Sequence, residues 1–271
     1  MCSDQIKLLR NECKNLKTVD IDNVIKEWKM IDNMPFRTEP DDEGRRKLFE
    51  LANRKGKIKD ENDDKNKDET KRNEDHLCMA IFNRYRYNPE KKEKLIVAGY
   101  SQYIVDYQTP IKKKETDSGW GKIDLVGLVK RSSRKQLVFW EMKWPGGDDP
   151  LYASIELLIY AKPFDKYKDK SEDNLKSLLF EIFSARGFKE AEELKAQPLL
   201  FVAAPHDYWS KCEEKYVGFL DKIKCFKNKI EKIKFEIEYW DLGNIKERHI
   251  IIEKNMPKFV DGTPVEFCKV I

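Results

Sequence analysis

Apolar residues crowd into two short runs near the middle of the chain, Ile123 to Val129 and Leu137 to Trp140, both rich in Val, Leu, Ile and aromatic residues. Ser118-Gly119-Trp120-Gly121 precedes the first run, Arg131-Ser132-Ser133-Arg134 separates the two, and Trp144-Pro145-Gly146-Gly147 follows the second. β-prone runs bounded by such breakers predict two antiparallel strands joined by a tight turn. Upstream, Leu77, Ile81 and Arg84 follow Glu74 at helical spacing, which predicts a helix with Glu74 at the top of its apolar stripe. A first strand is expected over Leu95 to Tyr107, where Ile96-Val97-Ala98-Gly99-Tyr100 and Tyr103-Ile104-Val105 are β-prone. Downstream, Asp148-Asp149 as cap and Pro150 as first-turn residue announce a helix with Leu151, Ile155, Leu158 and Ile159 in one stripe. Pro198 to Pro205 encloses a fully apolar run, read as a buried strand beside the hairpin. Residues 172–196 read as two helices covering the core and 208–230 as helix, with Phe235 to Tyr239 and His249 to Glu253 as a closing strand pair.

The elements define an α/β chain in three parts. Residues 1–53 carry short helical patterns: Ile6, Leu8 and Leu9, then Val24, Ile25, Trp28 and Ile31, then Leu48, Phe49 and Leu51. Residues 54–73 are almost wholly Lys, Arg, Asp, Glu and Asn, the composition of an exposed linker or a solvated helix extension. Residues 74–271 hold the strands, in the order helix, three strands, helix, strand.

Asp124 and Glu141-Met142-Lys143 place three ionic side chains in this most apolar hairpin. If the hairpin is symmetric about the Ser132-Ser133 bond, 124 and 141 are cross-strand partners, and alternation sets Glu141 and Lys143 on one face with Leu137 and Phe139. Opposed carboxylates destabilise a sheet, and burying them is costly unless a positive charge lies between them. A hard divalent cation takes such oxygens, so Mg2+ or Mn2+ is the expected cofactor. Lys143 beside it could orient or deprotonate a water, or steady a developing phosphoryl charge. The competing reading is a solvated charged hairpin. The chain is 38% charged, and acidic-x-Lys triplets recur at Asp63-Asp64-Lys65 and Glu213-Glu214-Lys215, but neither of those lies in an apolar strand.

Asp on one strand and Glu-x-Lys on the next resembles the PD-(D/E)XK nuclease superfamily, with Ile123 where the motif's Pro would stand. The resemblance covers roughly residues 74–205 and implies a restriction-endonuclease-like core, α-β-β-β-α-β with a mixed central sheet flanked by helices. It assigns metal binding to Asp124 and Glu141 and assistance of the attacking water to Lys143. Glu74 matches a Glu that the family often carries on the preceding helix and would complete the metal shell; the other reading is an acidic residue favoured by the helix dipole. The RecB-type exonuclease branch has Gln-x-x-x-Tyr on the following helix, where this chain has Glu156-Leu157-Leu158-Ile159-Tyr160. Tyr160 matches and Glu156 does not; both are candidate substrate contacts, as is Lys122 beside Asp124. The implied activity is divalent-metal-dependent hydrolysis of DNA phosphodiester bonds. The alternative is a noncatalytic nucleic-acid-binding or assembly protein that retains the fold, with a protein partner on the N-terminal helices.

Composition narrows this little further. Lys and Arg number 53 against 49 Asp and Glu, net +4, too mild to name a nucleic-acid partner. Basic turns at Lys112-Lys113-Lys114, Lys130-Arg131 and Arg134-Lys135 could meet phosphates, and Trp120 an unpaired base, while Trp140 and Trp144 fall on the strand face opposite Glu141 and read as core. The six cysteines and three histidines are scattered, without zinc or iron-sulfur spacing. Gly119-Trp120-Gly121-Lys122 lacks the first Gly and the Ser or Thr of a P-loop. No stretch approaches a membrane span and the N-terminus is polar, so a cytoplasmic protein is expected.

Overall fold

A computed structural model of the chain describes residues 8–13, 18–30, 72–86, 95–97, 100–110, 121–131, 134–166, 179, 183–184, 197–254 and 256–271. Its helices are α1 (Ile21–Met30), α2 (Glu74–Tyr85), α3 (Pro150–Lys166), α4 (His206–Lys215) and α5 (Phe219–Lys232). Strands β1 (Leu95–Val97), β2 (Tyr100–Pro110), β3 (Lys122–Arg131) and β4 (Arg134–Met142) run antiparallel in chain order, and β5 (Leu199–Ala204) and β6 (Glu236–Asp241) continue the sheet in parallel. A separate antiparallel pair, β7 (Ile250–Glu253) and β8 (Met256–Phe259), follows, and β9 (Cys268–Lys269) closes the far edge of the main sheet as its seventh strand. The chain is thus α/β, with a mixed sheet between helices.

β5 is buried at every position, because helices cover both faces of the sheet there; such a strand reads as continuous apolar sequence rather than alternation. On one face, α3 and α5 pack over Val126, Phe139, Leu200 and Val202. On the other, α2 packs over Leu125, Trp140 and Phe201, with Ile250 and Phe259 of the small β-pair beside it. The described N-terminal residues belong to the first face: Val24, Ile25 and Trp28 of α1 are buried in the same cluster as α3. Trp28 donates its indole N–H to the Leu158 carbonyl at 3.0 Å and meets Phe235 edge-on at 5.6 Å.

Local chemistry fixes the helix starts. Asp149 Oδ1 accepts from the amides of Leu151 and Tyr152 at 2.9 and 3.0 Å, capping α3 as its sequence predicts. Asn73 caps α2 by accepting from the His76 amide at 3.1 Å, while the Asn73 amide donates to His76 Nδ1. The β3–β4 register runs from Leu125 opposite Trp140 to Arg131 opposite Arg134, centred on the Ser132-Ser133 step. The β2–β3 ladder shifts register between Ile104 and Asp106.

Three expectations are corrected. The stretch from Leu95 to Tyr107 is a hairpin, not one strand: Val97 pairs with Tyr100, and the gap between them carries Gly99, the residue type that tight reversals favour. Residues 208–230 are split between α4 and α5, since Tyr216 turns to extended backbone after Lys215 and Gly218, at a φ of 70°, stands before the first residue of α5. The strands β6 and β7 do not pair; β6 lies between β5 and β9, and β7 turns back onto β8. The expected helices over 172–196, the charged 54–73 segment apart from its last two residues, and the N-terminal patterns at Ile6, Ile31 and 48–51 lie outside the described residues, although Leu179 and Phe183 are helical and buried in the core. Among the described residues no helix is long and apolar enough to cross a membrane.

Candidate metal centre

Because β3 and β4 are antiparallel, the start of one and the end of the other meet at the same end of the sheet. The β3–β4 register, extended one step beyond Leu125 and Trp140, sets Asp124 opposite Glu141 on the face of Val126 and Phe139. Trp140 is buried on the other face, and Trp144 is half-buried against the same cluster. The Lys143 amide donates to the Ala203 carbonyl at 2.8 Å, so β5 anchors the backbone just past β4.

Five side chains converge there. Lys143 Nζ donates to Glu141 Oε1 at 2.9 Å and to Glu74 Oε1 at 3.2 Å, and Glu156 Oε2 of α3 lies 3.9 Å away. Ligand oxygens of Glu74, Asp124 and Glu141 all fall within 4.8 Å of one another. Asp124 Oδ2 accepts from the Met142 amide at 2.8 Å, and the Asp124 carbonyl accepts from Cys78 Sγ. Glu141 and Lys143 are buried, at 4% and 3% exposed, so this is no solvated charged hairpin.

The electrostatics are strained in a consistent direction. Burial raises the Asp124 pKa well above the usual carboxylate range and Glu74 adds to it, against the pull of Lys143 and the Met142 amide. Burial followed by the Asp124 charge does the same to Glu141. Burial alone would depress Lys143, but Glu141, Glu74, Asp124 and Glu156 together carry it well above its ordinary value. Glu74 is raised by burial, with Lys143 partly offsetting.

The residues present suit a hard divalent cation. Four carboxylates, Glu74, Asp124, Glu141 and Glu156, surround the cations Lys143 and Arg10, two negative charges in excess when all are ionised. Glu141 Oε2 is buried without a hydrogen-bond partner among the described residues, a placement that is costly unless a cation takes the oxygen.

No protein-family model matches the chain, and no curated protein or solved structure is significantly similar to it. The functional reading therefore rests on the chemistry of these side chains.

The structure brings Asp124, Glu141, Lys143, Glu74 and Glu156 together. Tyr160, one turn beyond Glu156, is buried with its phenol against Gly121, where a side chain would collide with it. Lys122 is exposed at the start of β3, two residues before Asp124. Lys112-Lys113-Lys114 and Trp120 lie outside the described residues. The group the sequence gave no reason to include is Arg10, from the short helical stretch at 8–12: its Nη2 is 3.2 Å from Glu156 Oε1.

Proposed function

We propose that this chain is a divalent-metal-dependent deoxyribonuclease of the PD-(D/E)XK type. The observation that carries the reading is the buried Glu141, one oxygen on Lys143 and the other without a partner, with ligand oxygens of Asp124 and Glu74 within 4.8 Å of its own. The element order supports it: α2, the antiparallel β2, β3 and β4, then α3 and a parallel β5 follow the α-β-β-β-α-β sequence expected of such a core, with β1, β6 and β9 as additions.

Asp124 and Glu141 would hold Mg2+ or Mn2+, with Glu74 as the third carboxylate. A metal bound there supplies a Lewis acid for a phosphoryl oxygen and lowers the pKa of a coordinated water. Asp124 is pre-oriented by the Met142 amide, so its carboxylate needs little reorganisation to accept a ligand. Lys143 Nζ, fixed between Glu141 and Glu74, is placed to orient the attacking water or to steady the negative charge that develops on the phosphoryl group. Burial of Glu141 and Lys143 excludes bulk water from their contact, which strengthens both interactions.

Cleavage of single-stranded, linear and supercoiled DNA with Mg2+, Mn2+ or EDTA tests the reading. Products are expected only with metal, and Asp124→Ala and Lys143→Ala each lower the rate by about 10²-fold or more. A folded wild-type protein that cuts none of these substrates, or an Asp124→Ala variant with intact cleavage, overturns it. The first outcome with DNA binding retained would favour the noncatalytic binding or assembly role.

A further inference from the structure

Glu156 is divided between two cations. Its Oε1 lies 3.2 Å from Arg10 Nη2 and its Oε2 lies 3.9 Å from Lys143 Nζ, while Lys143 holds Glu141 and Glu74 more closely, at 2.9 and 3.2 Å. The arrangement is enclosed, with Arg10 and Glu156 side chains each only 13% exposed. Gly121 closes it from the β3 side: a Cβ there would come 3.2 Å from Arg10 Nη2 and would overlap Tyr160 Oη. The guanidinium therefore meets Glu156 beside the Gly121 backbone, and it comes from residues 8–12, whose Leu9 is buried in the same cluster as α3.

A carboxylate in such an enclosure draws the nearest cation strongly, because little water screens it. Among the described residues Lys143 is the other cation paired with Glu156, and without the guanidinium closing the present 3.9 Å gap would pull Nζ away from Glu141 and Glu74. We propose that Arg10 is a positioning residue of the site: by neutralising Glu156 it keeps Lys143 on Glu141 and Glu74, so the N-terminal segment must be docked for the centre to be set. The consequence for cleavage rests on the nuclease reading above; the effect on Lys143 does not.

The test uses the full chain with Arg10→Gln, Glu156→Gln, the double variant and Arg10→Lys. In protein labelled with ¹⁵N-lysine, the Lys143 ammonium resonance, assigned with Lys143→Gln, is expected to move in Arg10→Gln. It returns close to its wild-type position in the double variant, where no carboxylate remains at 156 to attract it. DNA cleavage is expected to fall about tenfold in Arg10→Gln and to recover to within about threefold in the double variant, with Arg10→Lys retaining most of it. A Lys143 resonance that does not respond to Arg10→Gln overturns the positioning role whatever the chain cleaves. A double variant as impaired as Arg10→Gln overturns it too, since the defect would then not pass through Glu156. Absence of cleavage in the wild type, with the resonance behaving as described, overturns the nuclease reading and leaves the positioning role standing.

Discussion

Gly127 has no side chain because β2 leaves no room for one. A Cβ there would stand 2.5 Å from the Tyr103 carbonyl oxygen and 3.3 Å from Val138 Cγ1. The first of these contacts is backbone and cannot swing aside, so Gly127→Ala is expected to destabilise the fold by about 1–3 kcal/mol. Urea denaturation of both proteins measures it; an unchanged midpoint and slope would show that β2 yields freely. Residues of the candidate centre differ in how visibly they announce themselves. Asp124, Glu141 and Lys143 are conspicuous because ionic groups inside apolar strands carry a desolvation cost that has to be offset by partners. Glu74 is legible as the acidic start of a helix, and the structure places its carboxylate on Lys143. Arg10 is silent in the sequence: an Arg after Leu8 and Leu9 reads the same whether it is solvated or lies 3.2 Å from Glu156.

Elements declared themselves where their contacts are local. The β3–β4 hairpin could be registered from its own breakers, and α3 from its Asp149 cap, because each is settled by residues within a few positions. Partner choice over long separations was not legible. The apolar pattern of β6 says that it is buried but not that β5 and β9 are its neighbours, and β7 would satisfy the same pattern with any available edge. The same holds for α1, whose stripe of Val24, Ile25 and Trp28 requires cover without naming it. The cover is α3 and α5, and Trp28 sits there fully enclosed, hydrogen-bonded to Leu158 and with Lys162 Nζ 3.9 Å from its ring centre. Trp28→Ala is accordingly expected to cost about 3–5 kcal/mol of global stability, read from denaturant melts followed at the core aromatics. A loss below about 1 kcal/mol would mean that α1 detaches without consequence for the rest.

For the molecule as a whole, the mild net charge of +4 conceals a local reversal, since the end of the sheet gathers acid while lysine is spread along the chain. Neither property could be seen from totals. Buried protonated groups give the fold a pH dependence of definite sign. Burial, then Asp149 and Glu12, pushes the Cys13 thiol up to about 12, and burial takes Cys212 to about 11. A thiol raised in the folded state keeps its proton longer than in the unfolded chain. Its contribution is therefore complete below the unfolded value of about 8.5 and is lost as pH climbs toward the folded values. Stability should decline from about pH 8.5 upward, with Cys225 and Cys268, both exposed, labelled at once by a thiol reagent while Cys13, Cys78 and Cys212 wait for unfolding. Uniform labelling of all of them in the folded protein would contradict the buried thiols. One further property joins the centre to the sheet. The β3–β4 ladder ends at Leu125 and Trp140, and two residues on from Trp140 the Met142 amide is held by the Asp124 carboxylate. Any ligand that competes for that carboxylate loosens a hydrogen bond at the end of the central seam. The isotope-exchange clock of a single backbone proton, at Met142, thus keeps time with the state of the whole centre.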